Sequence, residues 1–262
     1  PVSNIRTAGD DPDHAITVLK NVMQGMHDCG CAACPKHFPG DGTDTRNQHY
    51  VTSFNTLTKP EWDRFHGRVF RELIEAGAMS LMIGHLAFPE YEAMDPVKKR
   101  FRPATASRKI MTDLLRGELG FNGIILTDAL CMNGFIAWGD YEERILDAFN
   151  GGVDVFLWPE TPRFFALLKA ALADGRVSEE RLNESVRRIL SFKALLKLNE
   201  PRPAITEDAV SELLERNAAA ANTIARHSIT LLQNQRQILP LQLEPGAKIL
   251  VLRSPNKAAA LA

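Results

Sequence analysis

The sequence predicts an α/β fold on a parallel sheet, of the kind that closes into a β/α barrel. Three apolar runs carry that expectation, each ending in a polar group suited to chemistry: Gly30–Pro35 before Lys36-His37, Ser80–Gly84 before His85, and Asn122–Thr127 before Asp128. Helix-patterned stretches separate them, and strand, helix, strand, helix is the order of parallel strands joined by crossovers. In a closed barrel the carboxyl ends of the strands converge on one mouth, where catalytic groups sit. Lys36, His37, His85 and Asp128 are therefore expected to line one pocket.

Each element has a local signal. Asp10-Asp11-Pro12 starts a helix with a capping carboxylate and a proline in the first turn. It is expected to run to about Asp28, with Val18, Val22 and Met26 on its apolar face. The strand ending at Lys36 follows, then a polar loop from Gly40 to Thr58 with neither helical nor strand period; loops of that length are often functional. Thr58 and Glu61 form a capping box for a helix to Ala76. After the strand to His85 come an excursion from Phe88 to Pro103 and a helix over Ser107–Glu118. Gly120–Gly123 then turns into the strand carrying Asp128. A helix over Tyr141–Asn150 leads through Gly151-Gly152 into a fourth buried strand, Val153–Trp158, followed by helices over Pro162–Ala173 and Ser178–Lys197. Pro201 and Pro203 mark a linker before a helix over Glu207–Arg226. Ser228–Leu232 and Lys248–Leu252 read as two further strands, the start of a second α/β domain. Only four barrel strands precede the linker, whereas a closed barrel needs eight. By itself the pattern fits half a barrel or an open sheet.

Bulk properties narrow the class. At 262 residues the chain is long enough for a full core, and its 45% hydrophobic and 24% charged content is that of a globular protein. A net charge of −1 gives no electrostatic reason to expect nucleic acid or an anionic membrane as partner, and no run has the length of a membrane-spanning helix. Cys29, Cys31, Cys34 and Cys131 lack zinc spacing and read as small reduced core residues, a pattern that fits a cytoplasmic setting. The first residue is Pro1 and the text opens mid-pattern, so the chain reads as a fragment.

The most specific segment is Lys36-His37-Phe38-Pro39-Gly40-Asp41-Gly42, with glycines that allow a tight turn and close approach of backbone to ligand. Lysine beside histidine offers several donors for sugar hydroxyls; a lysine at a strand end also suits Schiff-base chemistry. Asp128, taken alone, reads either as a nucleophilic carboxylate or as the cap of a following helix. The Lys36–Gly42 segment resembles the hallmark of glycoside hydrolase family 3, and is most similar to the bacterial β-N-acetylglucosaminidases of that family. Asn4–Pro12 resembles the family's arginine-containing turn, Ile125–Met132 its nucleophile strand, and Ser228–Asn234 with Leu239-Pro240-Leu241 the entry to its second domain.

The resemblance implies that residues 1–198 are the second half of a (β/α)8 barrel, that 199–226 are linker and helix, and that 227–262 begin an α/β sandwich domain. It implies a retaining exo-glycosidase acting on terminal β-linked N-acetylglucosamine-type sugars, with a carbohydrate substrate and no metal or organic cofactor. Asp128 takes the nucleophile's place; Arg6, Lys36 and His37 hold the glycone, with His85 near the sugar and Met132 packing against the ring or the neighbouring loop. In the resembled branch the acid/base is a loop histidine two residues beyond a supporting aspartate, and register from Lys36 puts His49 there. The supporting position holds Asn47, with Asp44 a nearby carboxylate. An amide orients an imidazole but does not stabilise an imidazolium as a carboxylate does. Trp62 reads as core, and Trp158, at the end of the last barrel strand, as a stacking platform. The rival readings are a β-glucosidase whose acid is a glutamate of the second domain, a phosphorylase on the same scaffold, and a non-catalytic carbohydrate-binding relic.

Overall fold

The structure, a computed structural model, describes residues 7–201 and 204–250. The chain divides into two compact units, Pro1–Pro201 and Arg202–Ala262.

In the first unit, α1 (Pro12–Asp28) begins where Asp11 accepts the Asp13 N–H at 2.8 Å. Its buried face is Ala15, Ile16, Leu19 and Met23, which packs on Val69 and Leu73 of α3 (His66–Glu75); Val22 and Met26 face outward, one helical step from the expected stripe. β1 is Lys36–Phe38, so the polar pair stands on the strand itself. The apolar run before it is irregular, because Pro35 has no N–H for a ladder; its carbonyl still accepts from Met82 at 3.1 Å. The cysteines are correspondingly not core: Cys29, Cys31 and Cys131 are exposed and Cys34 half-buried.

The loop after β1 holds a two-residue strand, β2 (Ser53–Phe54), paired with β4 (Leu86–Ala87). The Thr58–Glu61 box starts α2 (Lys59–Arg64), but the expected single helix breaks at Phe65 before α3. Trp62 is fully buried and its indole N–H donates to Pro39 O at 2.6 Å, fastening α2 to the turn after β1. Burying roughly 200 Å² of indole is worth about 5 kcal/mol as an upper bound.

β3 (Ser80–Ile83) is followed, past β4, by a single 3₁₀ turn at Ala104–Ala106 and a helix of π-type hydrogen bonding over Lys109–Glu118. β5 (Ile124–Ala129) carries Asp128 as its penultimate residue. A one-turn α4 (Asn133–Ile136) and α5 (Tyr141–Gly151), capped by Asp140, precede β6 (Val155–Leu157). α6 (Thr161–Ala173) and α7 (Glu179–Leu195), capped by Ser178, complete the unit.

The sheet runs β1-β3-β5-β6 with every pairing parallel, each strand beside its predecessor in the sheet. That is the single winding of a β/α barrel and not the reversed order of a doubly wound sheet. The register Phe38–Ile83–Thr127 and Ala129–Leu157 brings His37, Gly84, Asp128 and Trp158 to one rim. The core lies between sheet and helices, around Phe38, Trp62, Leu81, Ile83, Ile125 and Phe135.

In the second unit, α8 (Glu207–Ser228) is two residues longer than expected. The strand expected at Ser228–Leu232 does not form: Ser228 closes the helix, and Ile229, Leu231 and Leu232 are exposed and irregular. Residues 248–250 are likewise irregular, and 251–252 lie outside the described residues. A strand without a paired neighbour leaves its backbone groups to water and has little stability of its own.

Candidate active site

His37, on β1, is the hub. Its Nε2 lies 3.2 Å from Asp128 Oδ2 and its Nδ1 lies 2.9 Å from Asp41 Oδ2. Ionised carboxylates only accept, so holding both bonds takes a proton on each ring nitrogen. Burial opposes that charge, but the bonds to Asp128 and Asp41 outweigh it and the pKa of His37 is raised. Asp128 is shifted the other way. Burial disfavours its charge, yet the bond from His37 and the Ala129 N–H at 2.7 Å hold its carboxyl well below the ordinary range. An ionised, partly buried carboxylate at a strand end is the form a nucleophile needs.

His85 follows β3 and is fully buried, stacked on Phe135 with ring centroids 5.2 Å apart. Its Nε2 donates to Ala129 O at 3.0 Å, which leaves Nδ1 to accept from the Thr105 hydroxyl at 2.8 Å. Burial lowers its pKa to about 4. The ring is therefore neutral near pH 7, and it holds the carbonyl of Ala129, the residue after Asp128. Both its nitrogens are occupied by protein.

The loop from Gly40 is tied down at several points. Gln48, buried between Asn47 and His49, donates Nε2 to Asp41 Oδ1 and Oδ2 at 2.7 and 2.8 Å, while its Oε1 accepts the His85 N–H. Gln48 O accepts from Gly134 N at 3.0 Å and His49 O from Asn133 N at 3.2 Å, docking the loop on the start of α4. His66 donates Nε2 to Asp41 O at 3.1 Å; a Cβ at Gly40 would stand 2.4 Å from its ring. Gly40, with φ 123°, thus supplies both the turn and the room.

His49 is exposed, and its Nδ1 lies 2.7 Å from Asn47 Oδ1. The same Oδ1 accepts the His49 backbone N–H at 3.0 Å, which fixes it as the carbonyl end of the amide. Nδ1 therefore carries the proton of the neutral ring, and Nε2 is the nitrogen left to exchange one. Asp44 does not serve His49. Its carboxylate is held by Arg46 Nε at 2.8 Å and the Phe54 N–H at 2.8 Å, and its pKa is lowered: those bonds, chiefly Arg46, outweigh its desolvation.

Lys36 is exposed on β1, Met132 is buried at the start of α4, and Arg6 lies outside the described residues. Trp62 and Trp138 are core, whereas Trp158 is 75% exposed at φ 53°. Among the described residues no group of His, Cys, Asp or Glu is arranged to hold a metal ion. Asp41, Gln48 and Thr105 are partners of His37 and His85 that the sequence did not single out one by one. The one signal for Asp41 was its place four residues beyond His37 in the glycine-rich turn.

The family model described as Glycosyl hydrolase family 3 N terminal domain matches residues 2–192. The chain belongs to glycoside hydrolase family 3. A curated relative from Cellulomonas fimi, a "Beta-N-acetylglucosaminidase/beta-glucosidase", is 34% identical over 98% of this chain and 46% of its own. Among solved structures, a β-glucoside phosphorylase bound to 2FGlc superposes with a TM-score of 0.85 at 34% identity, covering 92% of this chain and 44% of that one. A family 3 β-N-acetylglucosaminidase from Paenibacillus sp. superposes with a TM-score of 0.71 at 31% identity, covering 82% and 42%. The chain spans about half the length of the curated relatives that match nearly all of it.

Proposed function

We propose that this chain carries the catalytic groups of a retaining exo-glycosidase that releases terminal β-linked N-acetylglucosamine-type sugars. Asp128 attacks the anomeric carbon; the bond to the aglycone oxygen breaks as that oxygen takes a proton from His49 Nε2. Water then adds to the glycosyl-enzyme, giving its proton back to His49 and freeing the Asp128 carboxylate. Lys36 and Arg6 hold the glycone with Met132 packing near it; His37, its two ring nitrogens given to Asp128 and Asp41, and His85, buried with both nitrogens bound, act from behind the nucleophile and do not themselves bond the sugar. The observation that carries the reading is an ionised Asp128 at a strand end, with His49 oriented by Asn47 on a loop docked beside the same rim.

The test uses 2-deoxy-2-fluoro glycosides. Asp128 should become labelled, and Asp128→Asn should lower turnover by about 10⁴-fold or more, since the covalent route is lost. Labelling of a different carboxylate refutes the assignment, and absence of turnover alongside sugar binding selects the non-catalytic relic. Comparison of aryl N-acetylglucosaminide with aryl glucoside decides the substrate class, because the Cellulomonas fimi relative bears both names.

A second acceptor, phosphate, is favoured by one observation. The partner of His49 is the neutral amide of Asn47, so the acid/base is not itself paired with a carboxylate that would repel an incoming dianion. The structurally similar β-glucoside phosphorylase has the name that this reading would give. Release of sugar 1-phosphate in phosphate buffer selects it; free sugar alone refutes it.

A further inference from the structure

We propose that Gln48 is a positioning residue, the clamp that fixes the loop carrying His49 to the nucleophile's own hydrogen-bond network. The inference rests on the acid/base role given to His49 above. The two ends of one buried amide do different work. The donor end meets both oxygens of Asp41, at 2.7 and 2.8 Å, and Asp41 is the carboxylate that anchors His37 against Asp128. The acceptor end takes the His85 N–H at the end of β3. The backbone that carries His49 is thereby tied, through the adjoining Gln48, to Asp41, His37 and Asp128 in turn.

The surroundings are shaped for this amide. A Cβ at Gly84 would stand 3.0 Å from Gln48 Oε1 and 2.9 Å from His37 Cβ, and one at Gly134 would stand 2.8 Å from Gln48 O and 3.0 Å from His85 Cβ. Two neighbouring segments thus lack side chains where Gln48 enters. An unpaired buried amide is costly, so the closed loop is held at both ends. The His49 side chain contributes little to holding the loop: it is exposed and bonds only the neighbouring Asn47, while the His49 carbonyl accepts from Asn133 N. Its place is set by the residue before it.

Two substitutions separate the ends of the clamp. Gln48→Met keeps the volume and removes both bonds, whereas Gln48→Glu keeps an acceptor for His85 N–H and sets a carboxylate against Asp41. Both should lower kcat most on a glycoside with a poor leaving group, by about 100-fold, and markedly less on an activated aryl glycoside, the selectivity expected of a misplaced acid. In the double variant Gln48→Met/His49→Ala the loss should be no greater than for His49→Ala alone. Trypsin should cut after Arg46, in the same loop, about tenfold faster in Gln48→Met, as the loss of a charge-assisted bond releases the loop. Equal losses on both substrates, or additive losses in the double variant, overturn the clamp. If His49→Ala proves indifferent to the leaving group, the acid/base assignment falls, and unchanged cleavage at Arg46 then overturns the clamp independently.

Discussion

Lowering the pH from 7.5 to 4.5 should cost this fold stability through His85. The ring is fully buried and neutral, with a pKa of about 4 where an unfolded histidine has about 6.5. Between those values the unfolded chain binds a proton that the folded one refuses, so stability rises with pH across that window and is lost on acidification. Integrated from pH 7.5 to 4.5, that proton is worth about 2–3 kcal/mol. Burial supplies the shift, and the favourable Ala129 carbonyl and Asp128 charge only partly offset it.

Other groups titrate nearby, so the readout is a difference between variants. His66 is shifted down by burial and acts in the same direction, whereas His37 is raised and adds stability as the pH falls. Urea unfolding of wild type and His85→Gln at half-unit intervals isolates His85. The variant is less stable at pH 7.5, since the imidazole bond to Ala129 O and the ring stack on Phe135 are lost, but the gap should narrow by about 2–3 kcal/mol on reaching pH 4.5. A gap that stays constant with pH, or widens in acid, refutes the neutral buried ring.

Asp41→Asn removes one of the two carboxylates facing His37, and the pKa of that ring should fall; an NMR titration with an unmoved His37 resonance would contradict the bridged geometry. Asp154, buried ahead of β6, accepts from Arg116 at 2.9 Å, Ser185 at 2.6 Å and the Ile125 N–H at 3.1 Å. Asp154→Ala should cost about 3–5 kcal/mol by leaving a buried arginine uncompensated, and a loss below 1 kcal/mol in denaturant would count against that centre. Trp158 occupies a left-handed φ of 53° while exposed, so Trp158→Gly should raise the melting temperature and Trp158→Ala should not; equal responses would show that backbone strain is not at issue.

The fold was legible where local chemistry and period agree. Asp11, Thr58 with Glu61, Asp140 and Ser178 each start a helix where the sequence placed it, and the apolar runs at Ser80 and Ile124 are central strands. Elements decided by distant partners were not. β2 and β4 are two residues each and exist only through each other, and the break at Phe65 has no proline or capping signal of its own. The stretch after Ser228 has strand-like residues but no paired neighbour among the described residues, and propensity without pairing does not make a strand.

The site divides along the same line. The types and positions of Asp128, His37 and His49 could be read from the sequence, but the state of each histidine is set by partners that have no sequence period. His37 bridges Asp128 and Asp41, four residues along the same turn, and becomes the cationic member of the rim. His85, two residues past the neighbouring strand, bonds a carbonyl and a hydroxyl while fully buried and stays neutral. His49, exposed, commits Nδ1 to the amide of Asn47. Three identical side chains thus hold a carboxylate ionised, bind the carbonyl of the residue after it, and pair with a neighbouring amide. What separates them is the choice of two carboxylates, two neutral groups or one amide as partners, and a glutamine joins the first of those environments to the last.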